Sequence, residues 1–138
     1  MGVTQISVFV ESRPGHLGRA MKVFSDNGIN VRGFSASDTG EYGIVRFIVD
    51  KPEEAERLLR ESGAAVRTSD VLCIELEDRP GSLERVLVTM AEHGINVSYC
   101  YSMIGTYIVF AVNDREAAEK ALADTDLRLV GQDEISAI

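Results

Sequence analysis

One stretch of text occurs twice in this chain, and the repeat limits what the chain can fold into more than any other feature. Arg13-Pro14-Gly15, an amphipathic segment and Gly28-Ile29-Asn30-Val31 return 66 positions later as Arg79-Pro80-Gly81, a segment of equal length and Gly94-Ile95-Asn96-Val97. Both copies run from an apolar strand-like segment through Arg-Pro-Gly to a helical stripe, a glycine stop and an Ile-Asn-Val restart. An order that specific, found twice in 138 residues, signals an internal duplication. The expected units are 1–69 and 70–138, each about 70 residues long and too small to bury much surface alone, so each must pack on the other or on a second chain.

Periodicity supplies the elements. Ile6, Val8 and Val10 alternate with Gln5 and Ser7, and Leu72, Ile74 and Leu76 with Cys73, Glu75 and Glu77, the period of half-buried strands. Leu17, Ala20, Met21 and Phe24, matched by Leu83, Val86, Leu87 and Met90, recur at helical spacing. Gly28 and Gly94 stop these helices at the position that takes a positive φ. An extended segment follows over about 29–38, then a turn at Asp38-Thr39-Gly40-Glu41 and a strand alternating through Val45, Phe47 and Val49; the second copy repeats this with a tighter turn at Ile104-Gly105. Asp50-Lys51-Pro52-Glu53 and Asn113-Asp114-Arg115-Glu116 open a second helix in each copy, and short closing strands are expected near 65–68 and 127–131. The reading is α+β: two tandem ferredoxin-like βαββαβ domains, antiparallel sheets with helices on one face. Arg67-Thr68-Ser69-Asp70 joins them without glycine or proline, which predicts a rigid junction. The tail from Gln132 to Ile138 has no equivalent in the first copy; its apolar Ile135 and Ile138 suit an extension of the last strand.

Bulk properties exclude whole classes of partner. With 22 acidic against 14 basic residues and a net charge of −8, the chain lacks the basic surface that nucleic acid or an anionic membrane requires. No basic leader with an apolar core opens the sequence and no apolar run reaches bilayer length, so a cytoplasmic protein is expected. Cys73 and Cys100 lie in strand-like runs without metal-knuckle spacing and read as reduced packing residues; no metal and no cofactor is expected.

The Arg-Pro-Gly turn sits where a strand meets the first turn of a helix, among unpaired amides at the positive end of the dipole, which suits a small anion. Proline limits the loop's freedom, and glycine leaves room for a ligand beside the backbone. Ser82 suits a cap, whereas His16, in the matching place, caps poorly and can reach into a pocket. A turn chosen for its geometry alone explains these residues equally well. Asn30 and Asn96 offer a donor and an acceptor that suit an amino acid's charged ends, although a local backbone bond at a helix exit is the simpler reading of an asparagine there.

These residues resemble the ACT domain, a small-molecule sensor module of amino-acid metabolism. The resemblance covers nearly the whole chain as two tandem copies. It rests on Glu11-Ser12-Arg13-Pro14-Gly15-His16-Leu17 with Asn27-Gly28-Ile29-Asn30-Val31, and on Glu77-Asp78-Arg79-Pro80-Gly81-Ser82-Leu83 with His93-Gly94-Ile95-Asn96-Val97. Asp78 fits the family's acidic or amide position, where the first copy has Ser12. The resemblance implies that paired domains bind amino acids where one domain's loop and first helix meet the partner's second strand, with the asparagine often bonding the ligand. In that light Tyr99 and Tyr101 can shape a pocket for an aromatic or heterocyclic side chain, where the first copy has Gly33 and Ser35; packing in the sheet explains the tyrosines as well.

No nucleophile elbow, zinc helix or Walker loop is present, and the two histidines have no metal spacing. The expectation is a stand-alone regulatory protein, not an enzyme, that binds an amino acid, pairs as a homodimer and acts on a separate enzyme or regulator. A ligand-free interaction scaffold is the alternative, and a small enzyme comes third.

Overall fold

The computed structural model describes residues 2–11, 14–38, 40 and 42–138. The first copy contributes β1 (Val3–Glu11), α1 (His16–Asp26), β2 (Val31–Asp38), β3 (Tyr42–Val49) and α2 (Pro52–Glu61). After the strand β4 (Ala65–Glu75), the second contributes α3 (Ser82–Glu92), β5 (Val97–Ser102), β6 (Tyr107–Val112), α4 (Arg115–Leu122), β7 (Arg128–Val130) and α5 (Gln132–Ala137). The fold is α+β, the tandem ferredoxin-like arrangement that the repeat implied. Of the turn between β2 and β3, Thr39 and Glu41 lie outside the described residues, and the Gly40 amide donates to the Asp38 carboxylate.

The helix boundaries follow from local chemistry. Asn27 and His93 cap the ends of α1 and α3, and the glycines beyond them take φ values of 66° and 70°. The amides of Ile29 and Ile95 then reach back to the carbonyls of Phe24 and Met90 at 3.0 and 2.9 Å, the paired bonds of a Schellman stop. Pro52 is the first residue of α2, and the Asp114 carboxylate accepts from the Ala117 amide at the start of α4. Ser82 does not cap α3. Gly81 holds the cap position, and the serine is already the first helical residue.

Strands run in the order β2-β3-β1-β4-β6-β5, with β7 also beside β4. The sequence led us to expect one strand closing near Thr68 and another starting near Leu72. The chain instead makes a single strand of 11 residues, because nothing from Ala65 to Glu75 interrupts extended backbone. Its first part pairs with β1, from Ala65 opposite Phe9 to Val71 opposite Val3, and its last part pairs with β6 and β7.

Three apolar clusters result. Ile6, Val8, Val45 and Phe47 meet Phe24, Ala55 and Leu59 from α1 and α2, with the Phe24 and Phe47 rings edge to face at 5.0 Å. Leu72, Ile74 and Phe110 meet Val86, Met90, Ala118 and Leu122 from α3 and α4. The third cluster forms between the two sheet faces that carry no helix, where Val3 and Ile48 pack with Val71, Cys73, Met103, Val109 and Val130. The sheet face of each copy that carries no helix is therefore largely filled by the other copy, leaving Phe9 at the margin, 41% exposed. Gln5, on that face, is fully buried. Its side-chain amide donates to the Tyr99 hydroxyl at 2.7 Å and accepts from the Tyr101 hydroxyl at 2.7 Å, and Arg46 lies 4.0 Å over the Tyr99 ring.

The outer strands touch at one corner. Gly33 of β2 bridges Met103, and the Ile104 amide donates to the Arg32 carbonyl at 2.8 Å. A Cβ at Gly33 would lie 2.6 Å from Met103 Cγ and 3.3 Å from its Cα, so this glycine is there for the close approach of a strand and not to widen a pocket.

The tail does not extend β7; it forms α5. Ile135 is fully buried in the cluster between the sheets, which a continued strand would not reach. Gln132 accepts from the Thr4 amide at 3.0 Å and donates to the Val49 carbonyl at 3.2 Å.

Both cysteines are free thiols, but only Cys73 is a packing residue, since Cys100 is exposed. Burial, reinforced by the negative Glu134 and Glu75, pushes the Cys73 thiol up to about 12. A thiolate-directed reagent is expected to label native protein once, at Cys100, and a second time only after unfolding; mass spectrometry showing Cys73 labelled at the same rate contradicts this packing.

Candidate functional site

Each Pro-Gly loop borders a cleft, but the two clefts are lined by non-equivalent parts of the two copies. The larger, of about 910 Å³, lies between the end of β4, the loop, the first turns of α3 and the entry to β7; its residues include Arg79, Pro80, Gly81, Ser82, Arg85 and Arg128. The smaller, of about 400 Å³, lies between the start of α1 and the β2–β3 hairpin, and includes Pro14, His16, Leu17, Ser37 and Asp38. Both fall within the range of small-molecule sites, about 300–1,000 Å³.

The loop glycines take the left-handed conformation, φ 88° in both. A Cβ on either would touch no protein atom within 4 Å, so the backbone angle and not crowding calls for glycine there. Gly81→Val would therefore strain the turn as well as obstruct the cleft.

Charge sets the larger cleft apart. Arg79, Arg85 and Arg128 face Glu75, Glu77 and Asp126, three charges of each sign. Arg79 pairs with Glu77 at 2.9 Å, Arg85 with Asp126, and Arg128 with Glu75 across the strands. The bond from Arg85 holds the Asp126 carboxyl below the usual carboxylate range. Arg128 also grips Glu134 of α5 with both ends of its guanidinium, at 2.7 and 2.9 Å, and lowers that carboxyl too. A lining of balanced pairs can exchange partners with a molecule carrying both charges at no net cost in charge.

The larger cleft thus gathers Arg79, Pro80, Gly81 and Ser82, and the smaller one Pro14, His16 and Leu17. Gly15, Asp78 and Leu83 adjoin the loops without lining either cleft. Asn30 and Asn96 are exposed and line neither; the Asn30 backbone exchanges bonds with Asp50, its amide donating to the carboxylate at 2.9 Å and its carbonyl accepting from the Asp50 amide at 3.1 Å. Tyr99 and Tyr101 lie between the sheets, bound to Gln5. Ser12 and Arg13 lie outside the described residues.

Sequence reasoning missed Glu75, Arg85, Asp126 and Arg128. The register between strands offers the signal that was available. Glu75 stands opposite Arg128 as Phe9 stands opposite Ala65, so an apolar pair in the first copy became an ion pair in the second.

The sequence pattern of the ACT domain pair matches residues 1–138, the entire chain. The chain belongs to this family. ACT domains are regulatory, ligand-binding modules. Among solved structures, this ACT pair is similar to protein BT0572 from Bacteroides thetaiotaomicron, with 25% identity, a TM-score of 0.94, and coverage of 100% of this chain and 98% of that one. It also shares its fold with the ligand-free regulatory subunit of aspartate kinase from Thermus thermophilus, at 20% identity and a TM-score of 0.64 over 89% of this chain and 93% of that one. The corresponding subunit from Thermus flavus, at 17% identity and a TM-score of 0.61, covers 89% and 92%. No curated protein matches the ACT pair in sequence. No helix among the described residues is long and apolar enough to cross a membrane.

Proposed function

We propose that this ACT pair is a cytoplasmic regulatory protein without catalytic activity, which binds an amino acid at its Pro-Gly loops and modulates a separate enzyme or regulator. The observation that carries this reading is the larger cleft, in which the start of α3 adjoins three arginine–carboxylate pairs. An amino acid's carboxylate suits the guanidinium groups and the positive end of α3, whose Ser82 amide already donates to the Arg79 carbonyl at 3.3 Å, and its ammonium suits Glu75, Glu77 or Asp126. Charge-assisted bonds contribute about 1.5–3 kcal/mol each, and three or four suffice for micromolar affinity, roughly −8 kcal/mol. Each copy, 1–69 and 70–138, forms one binding unit. Two chains associate so that exposed Asn30 and Asn96 meet ligands held by the facing domains.

A thermal-shift screen with the twenty amino acids is expected to single out one or a few that raise the melting temperature, because a ligand that binds only native protein stabilises it. Arg85→Ala is expected to weaken binding of that amino acid at least tenfold by calorimetry, about the 1.5–3 kcal/mol of one charge-assisted bond. Retained affinity in Arg85→Ala moves the site away from this cleft. Absence of binding at millimolar concentration overturns the reading in favour of a ligand-free scaffold, which the exposed Leu83, Leu87 and Val88 on α3 would then serve as a contact surface.

A further inference from the structure

The helix α5 holds the two copies together at the end of the space between their sheets. Its Gln132 bonds the Thr4 amide of β1 and the Val49 carbonyl of β3, both in the first copy. Its Glu134 bonds Arg128 of β7 and accepts from the Tyr107 hydroxyl of β6 at 3.2 Å, both in the second copy. Ile135 fills the cluster between them. Six residues therefore clasp four strands from both halves.

The clasp and the larger cleft share one side chain. Arg128 lines the cleft, pairs with Glu75 inside it, and at the same time makes the only contacts to Glu134 from an arginine among the described residues. A guanidinium has five donors in a fixed fork, so it cannot offer its paired edge to an entering carboxylate and to Glu134 together. All three groups are a third or more exposed or close to it, with side-chain exposures of 54% for Arg128, 37% for Glu134 and 32% for Glu75, so exchange of partners requires no unfolding. The first copy differs, since Phe9 and Ala65 stand where Glu75 and Arg128 do, and its closing strand runs on into the second copy as β4.

We propose that a carboxylate ligand in the larger cleft draws Arg128 away from Glu134 and so loosens α5 from the two sheets. The proposal rests on the ligand-binding reading above and adds how occupancy is transmitted: the site reports to the junction of the two copies through α5. Loosening α5 frees the Thr4 amide, the Val49 carbonyl and the socket of Ile135 on one surface. By linkage, the factor by which the ligand weakens the Arg128–Glu134 contact is the factor by which that contact weakens ligand binding, so removing the contact strengthens binding.

The test is amide hydrogen exchange in the full chain, read at Thr4 and Ile135, with each of the twenty amino acids as probes and calorimetry on the same samples. In the wild type, a bound amino acid is expected to speed exchange at both amides by a few-fold, as local opening becomes easier. Glu134→Gln is expected to exchange at that faster rate before any ligand is added, and to bind the amino acid about two- to fivefold tighter, the range that exposed ion pairs support. Binding that leaves Thr4 and Ile135 exchange unchanged or slowed in the wild type overturns the coupling while the ligand reading stands. Equal affinity in Glu134→Gln and wild type overturns it as well. If none of the amino acids binds, the ligand reading fails and the coupling falls with it.

Discussion

Gln5→Ala is expected to destabilise the protein by about 4 kcal/mol, since two phenol hydroxyls each lose a buried partner worth about 1–3 kcal/mol and a cavity remains. Gln5 is fully buried, and its amide is the common partner of Tyr99 and Tyr101 at 2.7 Å, with the Ser69 hydroxyl at 3.4 Å. A buried amide so completely bonded fixes how the two sheets face each other, because no small rotation keeps both tyrosine bonds. Tyr101→Phe removes only one donor and should cost about 1–2 kcal/mol, measured by urea unfolding. Gln5→Leu, which keeps the volume but strands both hydroxyls, should fall between the two. Gln5→Leu as stable as wild type would show that apolar packing alone holds the sheets in place.

Ile135→Ala is the other large effect, about 3 kcal/mol, within the range for removing a buried isoleucine side chain to Cβ. In a chain of this size that lowers the melting temperature by about 6–12 °C. Ile135 is fully buried among Val3, Ile48, Val109 and Val130, residues from both copies. The loss should therefore appear in one cooperative transition of the whole chain and not in a separate melting of its end. A wild-type melting temperature in Ile135→Ala would mean that the tail packs elsewhere in solution.

Local patterning carried most of the architecture. The glycine stops at Gly28 and Gly94, the Pro52 start and the alternation of Ile6, Val8 and Val10 each involve residues within one turn or one strand, where sequence separation and spatial separation coincide. The junction was less legible, because the absence of glycine or proline between Arg67 and Asp70 predicts stiffness without telling whether one strand or two will form. The helix-facing side of β1, Ile6, Val8 and Val10, was read correctly, yet the burial of its other face was not, since Gln5 and Ser7 look like solvent-facing residues until the second sheet covers them. The tail escaped for a similar reason: Ile135 finds its partners about 130 residues away, at Val3. In the candidate site, the Pro-Gly loops were visible as motifs, whereas Arg85 with Asp126 and Arg128 with Glu75 are pairs that only strand register and helix placement bring together.

The single strand β4 has a further consequence for how errors can arise. Even-numbered Val66 and Thr68 face the helices of the first copy, and Leu72 and Ile74, on the same side of the same strand, face the helices of the second. A slip of one residue against β1 would turn Val71 and Cys73 toward α3 and α4, and Leu72 and Ile74 toward the tyrosines, because side chains alternate with a period of two. Misalignment in one copy is thus penalised by the core of the other. A duplicated chain always risks strands of one repeat pairing with the look-alike strands of its twin, and here one continuous strand makes the correct alignment of either repeat enforce that of both.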